Sequence, residues 1–99
     1  MPDAATMNFD DFSIFEADAL AAGFDEALVR KWAPNQVVDE HSHPFDAHAV
    51  VIRGEMWLTQ RGVTRHLVRG GRFELPNGEP HSERYGVDGA EYWVARRNR

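Results

Sequence analysis

The chain contains no cysteine. That excludes disulfides and thiolate metal ligands, and it fits a reducing compartment such as the cytoplasm. No stretch approaches the roughly 20 consecutive apolar residues of a membrane span. The start, Met-Pro-Asp-Ala-Ala-Thr, has no basic segment ahead of an apolar one, so neither a signal peptide nor a membrane association is expected. Basic residues are missing from residues 1–29, which carry seven acids (Asp3, Asp10, Asp11, Glu16, Asp18, Asp25 and Glu26). The remaining residues hold all eleven bases, ten of them arginine, against nine acids. With a net charge of -5 and no clustered basic face, a nucleic-acid partner is not expected. Arg96, Arg97 and Arg99 read as a solvated chain end rather than a binding tail.

What is present describes one small β domain. Ninety-nine residues with 42% hydrophobic and 27% charged side chains fit a single globular domain spanning 1–99. Residues 1–8 read as flexible. Glu16–Ala22 is the one good helical stretch, stopped by Gly23. Short β-rich runs follow at Glu26–Ala33, Val37–His43, Ala47–Arg53, Met56–Gln60, Val63–Val68, Arg72–Leu75, His81–Tyr85 and Glu91–Arg96. Turn residues separate them: Pro34-Asn35, Gly54-Glu55 as a tight hairpin, Arg61-Gly62, Gly70-Gly71 and the cluster Pro76–Pro80. This spacing predicts an all-β barrel or sandwich of antiparallel hairpins, with the barrel occupying about 26–97.

Four of the five histidines fall in two blocks, His41, His43 and His48 in one and His81 in the other. Neutral imidazole is the commonest protein metal ligand near neutral pH. Strand residues two apart share a face, so His41 and His43 project together, as do His81, Glu83 and Tyr85. His48 shares its face with Val50 and Ile52. One self-consistent register puts all four histidines inside the barrel. Burying them together without partners would be costly, and a shared metal removes that cost.

These residues resemble the cupin family. His41-Ser-His43 followed by His48 is similar to its first motif, with Asn35 in place of the leading glycine and Gly54 one residue early. Gly70, Pro76, Gly78 and His81 follow its second motif without a gap, and Tyr85 stands where that motif ends in asparagine. The resemblance implies a double-stranded β-helix (jelly-roll) barrel with a short N-terminal helix, a homodimer, and one divalent metal on His41, His43, His48 and His81. His48 stands where most metal cupins carry glutamate, which resembles a four-histidine subset. Four neutral ligands leave a divalent site at a formal +2 rather than +1, favouring anionic or enolate-like ligands. Imidazoles suit Zn, Fe, Ni or Cu, with Mn ranked behind, over Mg or Ca.

Other residues have candidate roles. Glu83 and Tyr85 are candidate catalytic groups, and Gln60, Trp57 and Trp93 candidate substrate contacts. Arg30, Arg53 or Arg84 would hold a carboxylate if one faced inward; His66 reads as a surface residue. Two function classes follow. One is an enzyme acting on an oxygen-rich small molecule, by metal-assisted isomerisation, cyclisation or ring opening or by dioxygen activation. The other is a non-catalytic small-ligand binding or sensor module.

Overall fold

A computed structural model describes residues 11–98 of the protein; the flexible reading of residues 1–8 falls outside them. Helix α1 (Phe12–Ala21) is followed by β1 (Glu26–Trp32), β2 (Val37–His41), β3 (Asp46–Gln60), β4 (Val63–Val68), β5 (Arg72–Leu75) and β6 (His81–Arg97). This all-β barrel with one short helix agrees with the barrel that the strand pattern predicts. No helix among the described residues is long and apolar enough to cross a membrane.

The helix starts four residues earlier than its composition predicts. Asp11 caps it, accepting a 2.9 Å bond from the Ser13 amide. A carboxylate there satisfies an amide that has no partner within the helix. Phe15 and Ala19 are buried against Ala27, Val50, Ile52, Trp93 and Ala95, so α1 covers the outer face of the sheet.

Two long strands organise everything else. β3 and β6 pair antiparallel from Asp46↔Arg97 to Gln60↔His81. The first half of β3 and the second half of β6 are flanked by β5 and β1; the other halves are flanked by β4 and β2. The result is two half-sheets folded over one core of Ala47, Ala49, Val51, Met56, Leu58, Phe73, Leu75, Tyr85, Tyr92 and Val94.

The core numbering changes parity. Inward residues of β3 are odd up to Val51 and even from Met56; those of β6 are odd up to Tyr85 and even from Ala90. Both switches fall at one corner, where the β3–β6 register slips between Val51 and Met56. The expected hairpin at Gly54-Glu55 is therefore corrected to a bend inside a continuous strand. The reason is steric. Gly54 has φ +76, and a Cβ there would sit 2.1 Å from the Gly89 carbonyl oxygen. Gly89 in turn has φ +70 and lies against the Trp32 carbonyl. Three backbones cross where no side chain fits, the usual meaning of glycine at a barrel corner. The Arg61-Gly62 hairpin does form, with φ of 54 and 75, the geometry that matches strand twist.

The corner gives a paired prediction. Gly54→Ala is expected to cost about 3 kcal/mol, because strain and a backbone clash add. Gly62→Ala, with open space around it, is expected to cost only about 1 kcal/mol from strain. Denaturant unfolding of the two variants compares them, and equal losses would contradict the clash.

Candidate metal centre

His41 and His81 sit directly opposite each other on β2 and β6. His43 lies two residues past His41, in the loop that follows β2. That loop is pinned by the Pro76–Pro80 turn: the Gly78 amide donates to the His43 carbonyl at 2.8 Å, and the Asn77 amide to Asp46 Oδ1 at 2.8 Å. Gly78 makes this turn with φ +81. The three rings stand 4.3 to 4.9 Å apart, centre to centre. One nitrogen from each lies within 4.8 Å of the others.

Backbone carbonyls fix two of the tautomers. His41 Nδ1 is 2.8 Å from the Asp39 carbonyl, and His81 Nδ1 is 3.0 Å from the Glu79 carbonyl. A carbonyl only accepts, so each Nδ1 carries the hydrogen and, in the neutral ring, each Nε2 is a bare lone pair. His81 Nε2 is fully buried and has no hydrogen-bond partner. A buried, unpartnered acceptor calls for an explanation. With the ring protonated, the partner is Glu83 Oε2 at 3.4 Å; with the ring neutral, a metal would take the lone pair, because ligating histidines commonly anchor their other nitrogen in this way.

Glu83 lies beside two of these three histidines. It is buried on β6, two residues from His81, with Oε2 3.4 Å from His81 Nε2 and 3.8 Å from His41 Nε2. Its other oxygen, Oε1, accepts a bond from the Tyr85 hydroxyl. Tyr85 is itself buried and stacks on Trp32 with centroids 5.1 Å apart. Donors on a tetrahedral ion with ordinary bond lengths are about 3.4 Å apart, so Oε2 sits at ligand spacing from two of the imidazoles.

Burial is the largest influence on Glu83 and favours the neutral acid, but His81, Tyr85 and His41 outweigh it and lower its pKa. Burial also opposes a charged His81, yet Glu83 and the Glu79 carbonyl overcome it and raise the imidazole. His43 is lowered, first by burial and then by His81 and His41. Tyr85 is pushed far above the ordinary phenol by burial and by neighbouring Tyr92 and Glu83, so it is a hydrogen-bond donor throughout the physiological range.

His48 is not brought to this cluster, which corrects the four-histidine arrangement. On β3 the inward residues are Ala47, Ala49 and Val51. His48 shares the outer face with Val50 and Ile52, which are buried beneath α1. Its ring packs on Phe24 at 4.9 Å, and its Nε2 faces Glu74 of neighbouring β5 at 3.7 Å. The inward position next to it belongs to Ala47.

The other expected contacts also separate. Trp93 lies on the outer face with Phe12 and Phe15. Trp57 is sandwiched between His66 and the Arg84 guanidinium. Gln60 donates to Glu79 and the Glu74 carbonyl, outside the histidine cavity. Tyr85 points at Glu83 and does not line that cavity. The cavity encloses about 260 Å³ above the histidines. Its walls come from Leu28, Phe73, Leu75 and Val94, with Arg30 and Arg96 among its polar residues. Alternation along β1 places Leu28, Arg30 and Trp32 on that side, a signal present in the sequence but meaningless until β1 is assigned a face.

No family model matches the sequence, nor does any curated protein. Solved structures do match. The protein resembles the DMSP lyase DddQ from Ruegeria pomeroyi at 25% identity and TM-score 0.68, over 73% of this chain and 37% of that one. It resembles KdgF from Halomonas at 22% identity and TM-score 0.64, over 75% and 69% of the two chains. An RmlC-like cupin from Shewanella frigidimarina matches at 20% identity and TM-score 0.65, over 75% and 67%.

The His81–Glu83 pair has a pH signature in chelator-treated protein. A raised His81 pKa contributes stability that is full below its ordinary 6.5 and lost as pH rises through the folded value. A lowered Glu83 pKa contributes stability present above its ordinary 4.5 and lost as pH falls through the folded value. Both contributions overlap between those two values. Urea unfolding across pH is expected to show wild-type stability declining above 6.5 and Glu83→Gln lacking that decline. Parallel profiles would contradict the coupling.

Proposed function

Because the chain has a cupin fold, we propose that it is a mononuclear metal protein whose centre is held by His41, His43, His81 and Glu83 and acts on an oxygen-rich small molecule. The observation that carries the reading is the set of lone pairs. Two imidazoles have their Nδ1 anchored, and the buried Nε2 of His81 has no hydrogen-bond partner. The donor set of three imidazoles and one carboxylate suits Zn, Fe, Ni or Cu better than Mg or Ca.

The carboxylate changes the charge expected from four histidines. With Glu83 a divalent centre has a formal +1, and the negative charge comes from β6 where β3 offers only Ala47. Tyr85 holds Oε1, which leaves Oε2 aimed between His41 and His81. Trp32 keeps the phenol in place by stacking. When bound, the ion supplies Lewis acidity, and dioxygen activation if it is iron. The apolar side chains Leu28, Phe73, Leu75 and Val94 give a small ligand a partly apolar seat next to the histidines. Isomerisation, cyclisation or ring opening are the reaction classes this arrangement suits. Non-catalytic ligand binding is the second reading, and one observation favours it. Glu83 and Tyr85 are engaged with each other, so neither is free to serve as a base in the cavity.

Elemental analysis of protein purified without chelator is expected to give one divalent transition metal per chain. His41→Ala and His81→Ala are expected to lose it. His48→Ala, on the outer face, is expected to keep full occupancy. Loss of metal in His48→Ala, or an empty wild-type protein, would overturn the reading.

A further inference from the structure

The cavity above the histidines carries a charge pattern that selects its ligand. Three ionised side chains line it: Arg30, Arg96 and Glu83. Arg96 is neutralised from outside, with Nε 2.9 Å from Glu26 Oε2, and its guanidinium lies over Phe45. Glu83 is taken up by the histidines and Tyr85. Arg30 is different. It projects from β1 on the same side as Leu28 and Trp32, its guanidinium carbon 5.2 Å from the Trp32 ring centre. Among the described residues no carboxylate forms an ion pair with it. Its two arginine counterparts are occupied elsewhere, Arg53 on Glu91 at 3.2 Å and Arg84 over Trp57 at 4.1 Å.

We propose that this cavity takes a small carboxylic acid, with the carboxylate paired to Arg30 and an apolar body against Leu28, Phe73, Leu75 and Val94. The inference rests on the metal reading above and adds the class of ligand to it. Charge supports it. A divalent centre with Glu83 is +1 and Arg30 adds another +1, with no other unpaired acid on the cavity wall. Arg30 is exposed and stands at the cavity's solvent-facing mouth, so an entering anion meets its positive charge first and the metal-side charge deeper in, beside the apolar wall. The planar fork of arginine matches a carboxylate with two parallel bonds, and stacking on Trp32 pre-orients it. Size supports a small ligand too, since about 260 Å³ lies below the range of drug-sized pockets. Ala47 matters here. A side chain larger than alanine at that inward position would project into the space that the apolar body needs.

The test uses a matched pair of probes, 2-hydroxy-3-methylbutanoate and its primary amide. They share shape and hydroxyl group and differ in charge. Titration calorimetry on zinc-loaded protein measures both, with zinc content determined for every sample. Wild type is expected to bind the acid at least about tenfold tighter than the amide, the scale of a hydrogen bond to a charged group. Arg30→Gln is expected to reduce that ratio at least about threefold with zinc content unchanged, the remainder coming from the charge of the centre, and Arg30→Lys to recover part of the loss. A preference left undiminished by Arg30→Gln would place the carboxylate elsewhere and overturn the proposal. So would wild-type protein that holds zinc and binds neither probe, or both equally. Failure to take up zinc is a separate outcome that sinks the metal reading. The same acid–amide comparison on that metal-free protein then decides the arginine claim, with equal binding overturning it.

Discussion

The structure depends on two buried polar groups, His81 and Glu83, that one another or an ion can satisfy, with half-buried His41 and His43 beside them. His41 and His81 each spend one nitrogen on a backbone carbonyl, which turns the second nitrogen inward, a bare lone pair whenever the ring is neutral. Glu83 meets them there, held from behind by Tyr85. Buried ionisable groups are costly unless paired. Here the pairing is built from neighbours two residues apart on one strand and a directly opposed residue on the next. The geometry therefore depends little on long side-chain reach. Local alternation aims three of the groups, and the turn at Gly78 holds the loop that carries the fourth.

That arrangement requires the barrel to close. β3 and β6 are too long to stay flat and still present one inward face along their whole length. The corner at Gly54 and Gly89 changes which residues point inward, so Ala47, Ala49 and Val51 share a core with Met56 and Leu58. The same applies to β6, where Glu83 and Tyr85 before the corner face Tyr92 and Val94 after it. Backbone contact between Gly54, Gly89 and Trp32 thus lies behind the cavity, the carboxylate and the aromatic stack that steadies Tyr85.

Much of this was legible in the chain. The barrel class follows from short β runs and turn clusters, and the spacing of Gly70, Pro76, Gly78 and His81 identifies the turn that clamps the loop of His43. The alignment of His81, Glu83 and Tyr85 follows from strand periodicity alone. Two readings failed for definable reasons. Period-two alternation says which residues share a face but not which face is inside. His48 with Val50 and Ile52 looked like a ligand above two barrel aliphatics, yet the helix gives the outer face an apolar cover of its own. A glycine within a β run reads as a turn, and only the crossing backbones at Gly54 reveal a bend. The same ambiguity applies to Arg30, which alternation alone leaves on either face and which lies at the rim of the cavity.

A crystal structure of zinc-soaked protein, with anomalous scattering at the zinc edge, tests the central claim most directly. The account predicts one strong peak inside the barrel, bonded to nitrogen from His41, His43 and His81 and to Oε2 of Glu83. A peak on the outer face between His48 and Glu74, or no ordered peak at the three histidines, would contradict it.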